Sequence, residues 1–209
     1  WTMPEEINRV VTDSITNWFF TTSEVANDNL RRAGVAAEQI FFVGNTMIDT
    51  LVAFEDRIHA SDVLERMGLD SGGQVLMTIH RPATVDDPAR LKDLVNLIGH
   101  VAKDHPIVFP VHPRTRANLQ RYGLLDALTA TKGLHMAEPM DYFAFQKLIA
   151  TCAFVITDSG GIQEETTYRR VPCLTLRPNT ARPITVTEGT NELTTFDVAA
   201  WRATVDRTH

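Results

Sequence analysis

Cysteine is scarce in this chain: its 209 residues include only Cys152 and Cys173. Each lies in an apolar stretch and the two form no C-x-x-C pair, so we expect buried thiols in a reducing compartment. Long hydrophobic runs are missing as well, since no apolar stretch approaches the roughly 18 residues of a membrane span. The first residues do not form a signal peptide, and Trp1 is not a natural initiator. These features predict a cytoplasmic protein, shortened at its front, with no membrane partner.

Runs of Lys or Arg are also absent, and the formal net charge is -6. The chain therefore lacks the basic surface that nucleic acid binding requires, and any phosphate site must be local. Neither a G-x-x-x-x-G-K-[ST] loop nor a G-x-G-x-x-G segment occurs, which disfavours an NTPase or a simple dinucleotide dehydrogenase. His80 and His112 are too scattered to indicate a metal site. We expect no nucleic acid partner, no metal and no cofactor.

What the chain does have is a regular alternation of apolar runs and helical segments. The composition, 44% hydrophobic and 22% charged, is that of a globular protein with a sizeable core. Short runs rich in β-branched and aromatic residues alternate with segments of helical period, which predicts an α/β fold with a parallel sheet flanked by helices. Strands are predicted at 18–20, 40–43, 75–79, 107–111, 134–136, 154–157 and 173–176. Helices are predicted at 21–30, from 48 toward 67, and at 88–103, 114–128 and 141–151.

The length predicts one complete α/β domain and part of another. In the first part, Thr21 and Glu24 form a capping box for a helix that Gly34 ends. Gly44 then interrupts the pattern, so we place a domain junction near Asn45. Residues 1–45 are expected to be the partial domain and residues 46–209 the complete one.

Histidine and arginine follow two of the predicted strands. Ligands of open parallel sheets bind outside the carboxyl ends of the strands, so these positions are informative. His80 and Arg81 follow one strand, and His112 with two arginines follows the next. A cation beside an imidazole suits an anionic substrate. The alternative is that His80 caps a loop and the arginines are solvated.

A glycine turn follows the strand at 154–157. Its residues Ser159, Gly160 and Gly161 predict a tight turn that opens a helix. Glycines let the backbone approach a diphosphate, the helix N-terminus favours negative charge, and the serine hydroxyl adds a donor. An ordinary capped helix is the alternative.

Carboxylates and arginines complete this edge of the sheet. Glu164 and Glu165 lie one turn beyond the glycines, where a carboxylate can accept both vicinal hydroxyls of a ribose. Phosphate at the turn and ribose at the carboxylate indicate a nucleotide. Arg182, on a proline-braced loop, is placed to neutralise a diphosphate, although a solvated loop arginine is the alternative.

The chain resembles the non-hydrolysing UDP-N-acetylglucosamine 2-epimerases over nearly its whole length, at 3–9 (MPEEINR), 44–49 (GNTMID), 80–82 (HRP), 158–165 (DSGGIQEE) and 179–183 (NTARP). The resemblance implies a glycosyltransferase-B-like architecture, with a UDP-sugar between two Rossmann-like domains. Residues 1–45 would be a remnant of the N-terminal domain and residues 46–209 the C-terminal, UDP-binding domain. The full-length protein would be a homodimer.

By this resemblance the full-length protein is an isomerase that interconverts UDP-GlcNAc and UDP-ManNAc for polysaccharide biosynthesis. In the family, UDP leaves to give a glycal intermediate and adds back, while acid and base residues move the proton at C2. No nicotinamide or metal takes part.

The resemblance also assigns residues. Glu5 matches a catalytic carboxylate and His80 a histidine near the diphosphate. The UDP-binding positions match Arg81, Phe145 (packing on uracil), Ser159, Gly160, Gly161, Glu165 (ribose) and Arg182. A second, activating UDP-GlcNAc in many bacterial members touches positions that match Glu6, Arg81 and His112. For Phe145 a core aromatic is the alternative, and for Glu5 a charge at a helix terminus.

Two positions depart from the family pattern: Ala83 and Ala181 stand where relatives often have Glu. Three other functions stay open. A hydrolysing 2-epimerase would release UDP and ManNAc, a transferase of the same architecture would need an acceptor, and a binding module would not turn over. The chain alone is expected to bind UDP without turnover, because cleft catalysis needs both walls to position groups and exclude water.

Overall fold

The computed structural model describes the backbone of residues 4–197 and the side chains of residues 6–197. The chain forms two compact units that divide between Thr50 and Leu51. The sequence predicts the domain junction near Asn45. This residue directly precedes the helix Thr46–Ala53, within which the two units divide. None of the helices within the described range combines the length and apolar character that crossing a bilayer requires.

The smaller unit contains two parallel strands. β1 (Phe19–Thr21) pairs with β2 (Ile40–Phe42). Both agree with the predicted strands to within one residue at each end. The unit also contains α1 (Pro4–Ile15), α2 (Glu24–Arg32) and a 3-10 turn, Ala37–Gln39.

The start of α2 differs from the prediction. Ser23, not Thr21, is the N-cap residue, and its hydroxyl accepts the backbone N–H of Ala26. Thr21 is instead the buried last residue of β1 and donates to the Asn27 side chain. Pairing with β2 holds Thr21 in an extended strand, so the predicted capping box does not form.

The larger unit is built on a parallel sheet of six strands. They are β3 (Val75–Thr78), β4 (Ile107–Pro110), β5 (Leu134–Ala137), β6 (Phe154–Thr157), β7 (Cys173–Leu176) and β8 (Asn191–Thr194). Their order in the sheet is β5-β4-β3-β6-β7-β8. The chain therefore starts in the middle, builds toward one edge, returns, and builds toward the other. The topological switch point lies between β3 and β6.

The strand β8 is absent from the sequence prediction. It contains a single apolar residue, Leu193, so its periodicity carries little signal. Pairing with β7, which places Asn191 opposite Cys173, makes it a strand. The five other strands of this sheet agree with the predicted ones.

Helices cover both faces of the sheet. They are α3 (Thr46–Ala53), α4 (Glu55–His59), α5 (Val63–Met67), α6 (Pro82–Val85), α7 (Pro88–Val101), α8 (Pro113–Arg121), α9 (Leu125–Thr129), α10 (Tyr142–Thr151), α11 (Gly160–Arg169) and α12 (Ile184–Thr187). Two predicted helices prove to be divided: the one from Ile48 toward Met67 forms α3, α4 and α5, and the one at 114–128 forms α8 and α9. Gly123 separates the latter pair with a left-handed φ of 68°.

The central strands are buried on both sides. Val75 and Met77 face one apolar cluster, and Leu76 faces the other. A parallel sheet covered on both faces needs such continuous apolar runs, which is why the strands were readable from sequence. The thiols of Cys152 and Cys173 are buried and unpaired, as predicted. Burial raises the pKa of Cys152 to about 12 and that of Cys173 to about 11.

Candidate functional site

The carboxyl ends of β3 and β6 meet at the switch point of the sheet. The two strands pair in parallel up to Thr78 opposite Thr157. The backbone N–H of Asp158 extends this pairing by donating to the Thr78 carbonyl at 3.3 Å. The residues after each strand therefore emerge side by side. In sheets of this kind the crevice at the switch point is where ligands bind.

Asp158 joins the loop after β3 to the turn after β6. Its carboxylate is fully buried. It accepts the backbone N–H of His80 at 3.1 Å and that of Arg81 at 2.8 Å. In return, Nε of Arg81 donates to the Asp158 carbonyl at 3.1 Å. These donors replace the water that a buried carboxylate loses, so both loops are fixed to each other.

The same carboxylate orients the imidazole of His80. Nδ1 of His80 lies 3.4 Å from Oδ1 of Asp158. With Nδ1 directed at the carboxylate, Nε2 is the nitrogen left to face a ligand. The His112 ring lies beside it, with 5.8 Å between the ring centroids. The two histidines share a cavity of about 160 Å³, which is lined by Thr78, His80, Pro110, His112, Pro139, Met140 and Phe145.

Phe145 lies between the core and the cavity. Its ring is partly buried and packs against the apolar cluster on one face of the sheet. It also lines the cavity with His80 and His112. The structure thus places an aromatic side chain within the same cavity as the predicted diphosphate histidine.

The turn after β6 runs directly into α11. Ser159 is the N-cap residue, but its hydroxyl makes no cap hydrogen bond to the helix. The first N–H groups of a helix have no partner within it, so this helix start attracts anions. Neither Gly160 nor Gly161 has a positive φ, so the backbone conformation does not require glycine. A Cβ built on Gly160 would meet no heavy atom within 4 Å, and glycine therefore leaves open space there.

Glu165 is buried on α11 and held by a chain of side chains. Burial raises the pKa of its carboxyl, while a hydrogen bond from Gln146 and the charge of Arg169 oppose this. Oε1 of Gln146 accepts from Nε of Arg169 at 3.3 Å, so the amide nitrogen of Gln146 is the group that faces Glu165. Arg169 also binds both carboxylate oxygens of Glu55 at 3.0 Å. The chain from Glu55 to Glu165 fixes the carboxylate in position.

We predict that Glu165→Gln stabilises the folded protein at pH 7. The folded-state pKa of Glu165 lies above its ordinary value of 4.5. The folded state then holds the proton more tightly than the unfolded state, and stability is lost as the pH rises from 4.5 through the raised pKa. Glutamine has no charge to bury, so the variant should have the larger free energy of unfolding at pH 7.

Urea unfolding at two pH values checks this prediction. The difference between Glu165→Gln and wild type should shrink toward zero at about pH 3, where both unfolded and folded carboxyls are protonated. The exposed Glu65→Gln on α5 is the matched control and should change little. A variant that is less stable than wild type at pH 7 would contradict the prediction.

Arginines from the segment after β7 reach the same edge. Nε of Arg182 lies 3.0 Å from Oε2 of Glu164 as an ion pair, without the alignment of a hydrogen bond. Arg177 is half-buried. Its pKa is lowered mainly by burial and secondly by repulsion from Arg81, whereas the charge of Asp158 raises it. An edge where two guanidiniums repel each other beside one buried carboxylate favours an added anion.

Other predicted site residues have different surroundings. The side chain of Glu5 lies outside the described residues. Glu6 is exposed on α1, and its hydrogen bond to Arg9 lowers the pKa of its carboxyl. His112 caps α8, because its Nδ1 accepts the backbone N–H of Arg114 at 3.2 Å.

Three buried polar residues were given no role of their own in the prediction, although Asp158 and Gln163 belong to the motif at 158–165. Asp158 joins the loops, Gln146 holds Glu165, and Gln163 hydrogen-bonds the Ser159 carbonyl. A polar side chain on a buried face must find partners, and that is the signal that identifies such residues.

Fold and site together define a Rossmann-like domain of the glycosyltransferase-B type, with an anion-attracting helix start at its switch point. The chain belongs to the UDP-N-acetylglucosamine 2-epimerase family, whose model matches residues 1–208.

Relatives and solved structures agree with this membership. A UDP-N-acetylglucosamine 2-epimerase of Methanocaldococcus jannaschii is 40% identical over 197 residues, which cover 91% of this chain and 54% of the relative. The crystal structure of the M. jannaschii UDP-GlcNAc 2-epimerase in complex with UDP-GlcNAc and UDP matches with a TM-score of 0.90 and 37% identity, covering 99% of this chain and 58% of that one. The crystal structure of a Neisseria meningitidis UDP-GlcNAc 2-epimerase bound to UDP-GlcNAc matches with a TM-score of 0.84 and 27% identity. The match covers 98% of this chain and 56% of that one. The chain spans about half the length of the curated relatives it matches.

Proposed function

We propose that the full-length protein interconverts UDP-GlcNAc and UDP-ManNAc by a non-hydrolysing epimerisation at C2 of the sugar. Family membership and the relatives' names support the reaction class. The observation that carries the proposal is the Asp158 carboxylate, which fixes the His80 loop beside the start of α11. That contact holds the loop of His80 and the start of α11 at the same edge of the sheet.

The proposed substrate lies along this crevice. The diphosphate faces the N–H groups of Gly160 and Gly161, with the Ser159 hydroxyl and Arg182 beside it. Glu165 accepts hydrogen bonds from the ribose hydroxyls, and Phe145 packs on the uracil. Arg81 contributes positive charge, although its Nε is engaged by the Asp158 carbonyl.

His80 is the proposed acid in the departure of UDP. Its Nε2 faces the ligand because Nδ1 is directed at Asp158. A protonated imidazole beside the diphosphate stabilises the negative charge that develops as the bond between C1 and oxygen breaks. When UDP adds back on the glycal, the same group accepts the proton again.

The roles of the first unit are also proposals. We place residues 1–45 as the remnant of an N-terminal Rossmann-like domain, and Glu5 as the carboxylate that moves the C2 proton. Glu6, Arg81 and His112 would contact an activating UDP-GlcNAc. The full-length protein would be a cytoplasmic homodimer, and light scattering of the purified protein tests the oligomeric state.

An NMR assay without an acceptor tests the reaction. Incubation of the full-length protein with UDP-GlcNAc should produce UDP-ManNAc, with solvent deuterium incorporated at C2. Stoichiometric release of UDP and free ManNAc would instead show a hydrolysing epimerase. Conversion that requires an added acceptor would show a transferase, and either result overturns the proposal.

We predict that Gly160→Ala weakens UDP binding without destabilising the fold. The added methyl meets no protein atom, so the change in folding free energy should stay within about 1 kcal/mol. It would project into the space in front of the helix start and hold a diphosphate away, which should lower UDP affinity about tenfold or more.

Gly99→Ala is the matched control for this substitution. Gly99 lies on α7, has no positive φ, and likewise has open space around an added Cβ. Calorimetry should show unchanged UDP affinity for this variant. Equal UDP affinity of Gly160→Ala and wild type would count against the diphosphate position.

A further inference from the structure

A buried polar network connects the turn after β6 with the segment 177–183, which we term the Arg182 loop. The centre of this network is Gln163 on α11, whose side chain is fully buried. Nε2 of Gln163 donates to the Ser159 carbonyl at 3.0 Å. Oε1 accepts from the Thr180 hydroxyl at 2.6 Å and from Nδ2 of Asn191 at 3.1 Å. One amide thus contacts both sides of the proposed diphosphate site.

Asn191 on β8 completes the network. It is buried, and its Nδ2 also donates to the Thr185 hydroxyl at 3.2 Å. Its Oδ1 accepts from the Thr175 hydroxyl at 2.6 Å. Both oxygens and both nitrogens of the two amides therefore have partners. Each threonine hydroxyl has one proton and can donate one hydrogen bond. The donors and acceptors of the network can therefore be matched in a single set of hydrogen bonds.

The network holds the main chain of Arg182 at both ends of the residue. Its N–H donates to the Thr180 hydroxyl at 2.9 Å. Its carbonyl accepts from the Thr185 hydroxyl at 2.7 Å and from the Thr185 N–H at 3.0 Å. Thr180 and Thr185 are in turn bound by Gln163 and Asn191. The backbone from which the guanidinium extends is therefore fixed relative to the start of α11.

We infer that Gln163, Thr180, Thr185 and Asn191 are positioning residues that aim Arg182 at the anion held by the Ser159 turn. This inference rests on the proposed function, because it takes that anion to be the diphosphate of UDP. A long arginine side chain loses conformational freedom when it binds phosphate, and a fixed backbone reduces that loss. A buried network in which every polar group has a hydrogen-bond partner is rigid enough to fix the backbone in this way. The hydrogen bonds of these four side chains go to one another and to neighbouring protein groups.

Removal of one hydroxyl tests the inference in the full-length protein. Thr180→Val keeps the side-chain volume and removes the contacts to Gln163 and to the Arg182 N–H. We expect UDP affinity to fall about tenfold, as if Arg182 lost one good hydrogen bond to the phosphate, while uridine affinity stays unchanged. Thr180→Ser keeps the hydroxyl and should restore UDP binding. Titration calorimetry with UDP and with uridine measures both.

A double-mutant cycle separates positioning from a general structural role. In an Arg182→Ala background, Thr180→Val should cost no further UDP affinity, because no guanidinium remains to be aimed. Equal losses in both backgrounds, or parallel losses of UDP and uridine binding, would overturn the inference. If Thr180→Val does not fold, Thr185→Val frees the Arg182 carbonyl instead, and the same results are expected.

The two proposals fail in different ways. Wild-type protein that does not bind UDP would refute the proposed function and the inference together. Arg182→Ala that binds UDP as well as wild type would refute the inference and the role given to Arg182. Normal UDP binding that depends on Arg182 but not on Thr180 or Thr185 would refute the inference alone.

Discussion

Substitution of His80 by glutamine is expected to lower kcat by about 10²–10⁴-fold, the usual effect of removing a general acid. Glutamine retains a polar group at the same edge but cannot carry the proton that the departing UDP requires. UDP affinity should fall by less than about tenfold, because the N–H groups of α11, Arg182 and Glu165 remain. Steady-state epimerisation and UDP titration on the full-length protein measure the two effects separately.

His135→Gln is the matched control for this variant. His135 is exposed on β5, at the edge of the sheet, and lines no part of the cavity that contains His80. Its replacement should leave kcat within about twofold of wild type, as is usual for surface positions. A His80→Gln enzyme with wild-type kcat would remove His80 from the reaction.

Asp158→Ala is expected to destabilise the folded protein by about 3–5 kcal/mol. The substitution leaves the N–H groups of His80 and Arg81 without the buried carboxylate that they bind at 3.1 and 2.8 Å. A buried charged group that serves several donors is costly to remove, because each donor has already lost its water. Urea unfolding followed by circular dichroism measures the loss.

Asp158→Asn should separate the fold from the chemistry. The amide oxygen can still accept both backbone N–H groups, so we expect a loss of only about 1 kcal/mol. The amide nitrogen would then face Nδ1 of His80 and favour the tautomer with the proton on Nε2. The amide cannot stabilise a positive imidazolium as the carboxylate does, so His80 becomes a weaker acid and we expect kcat to fall by about 10²-fold or more. A stable Asn variant with wild-type kcat would refute the orienting role of Asp158.

The sequence was sufficient to predict five of the six strands of the larger sheet. Strands such as 75–79 and 154–157 are continuous apolar runs, because both faces of a parallel sheet are covered. The glycine turn at 159–161 marked the end of one of them. Because β3 and β6 pair in parallel, His80 and Ser159, which follow these strands, lie at the same edge of the sheet.

The prediction failed where local pattern and tertiary contact disagree. Thr21 carries a capping-box pattern, yet pairing with β2 keeps it in a strand and Ser23 caps the helix. β8 has almost no apolar signal and exists because β7 offers it an edge. Helix breaks such as that at Gly123 depend on how each short helix packs onto the sheet.

The sequence by itself determined which chemical groups stand at the strand ends: an imidazole, a glycine turn, carboxylates and arginines. Only the tertiary structure decided which of them meet, because parallel pairing joins β3 to β6 across 78 residues between His80 and Asp158. Local periodicity cannot specify such a distant partner, since register is fixed by burial on both faces of the assembled sheet. The buried amides of Gln163 and Asn191 depend on the same assembly, because they bind each other and the Thr180 hydroxyl across three separate segments of the chain.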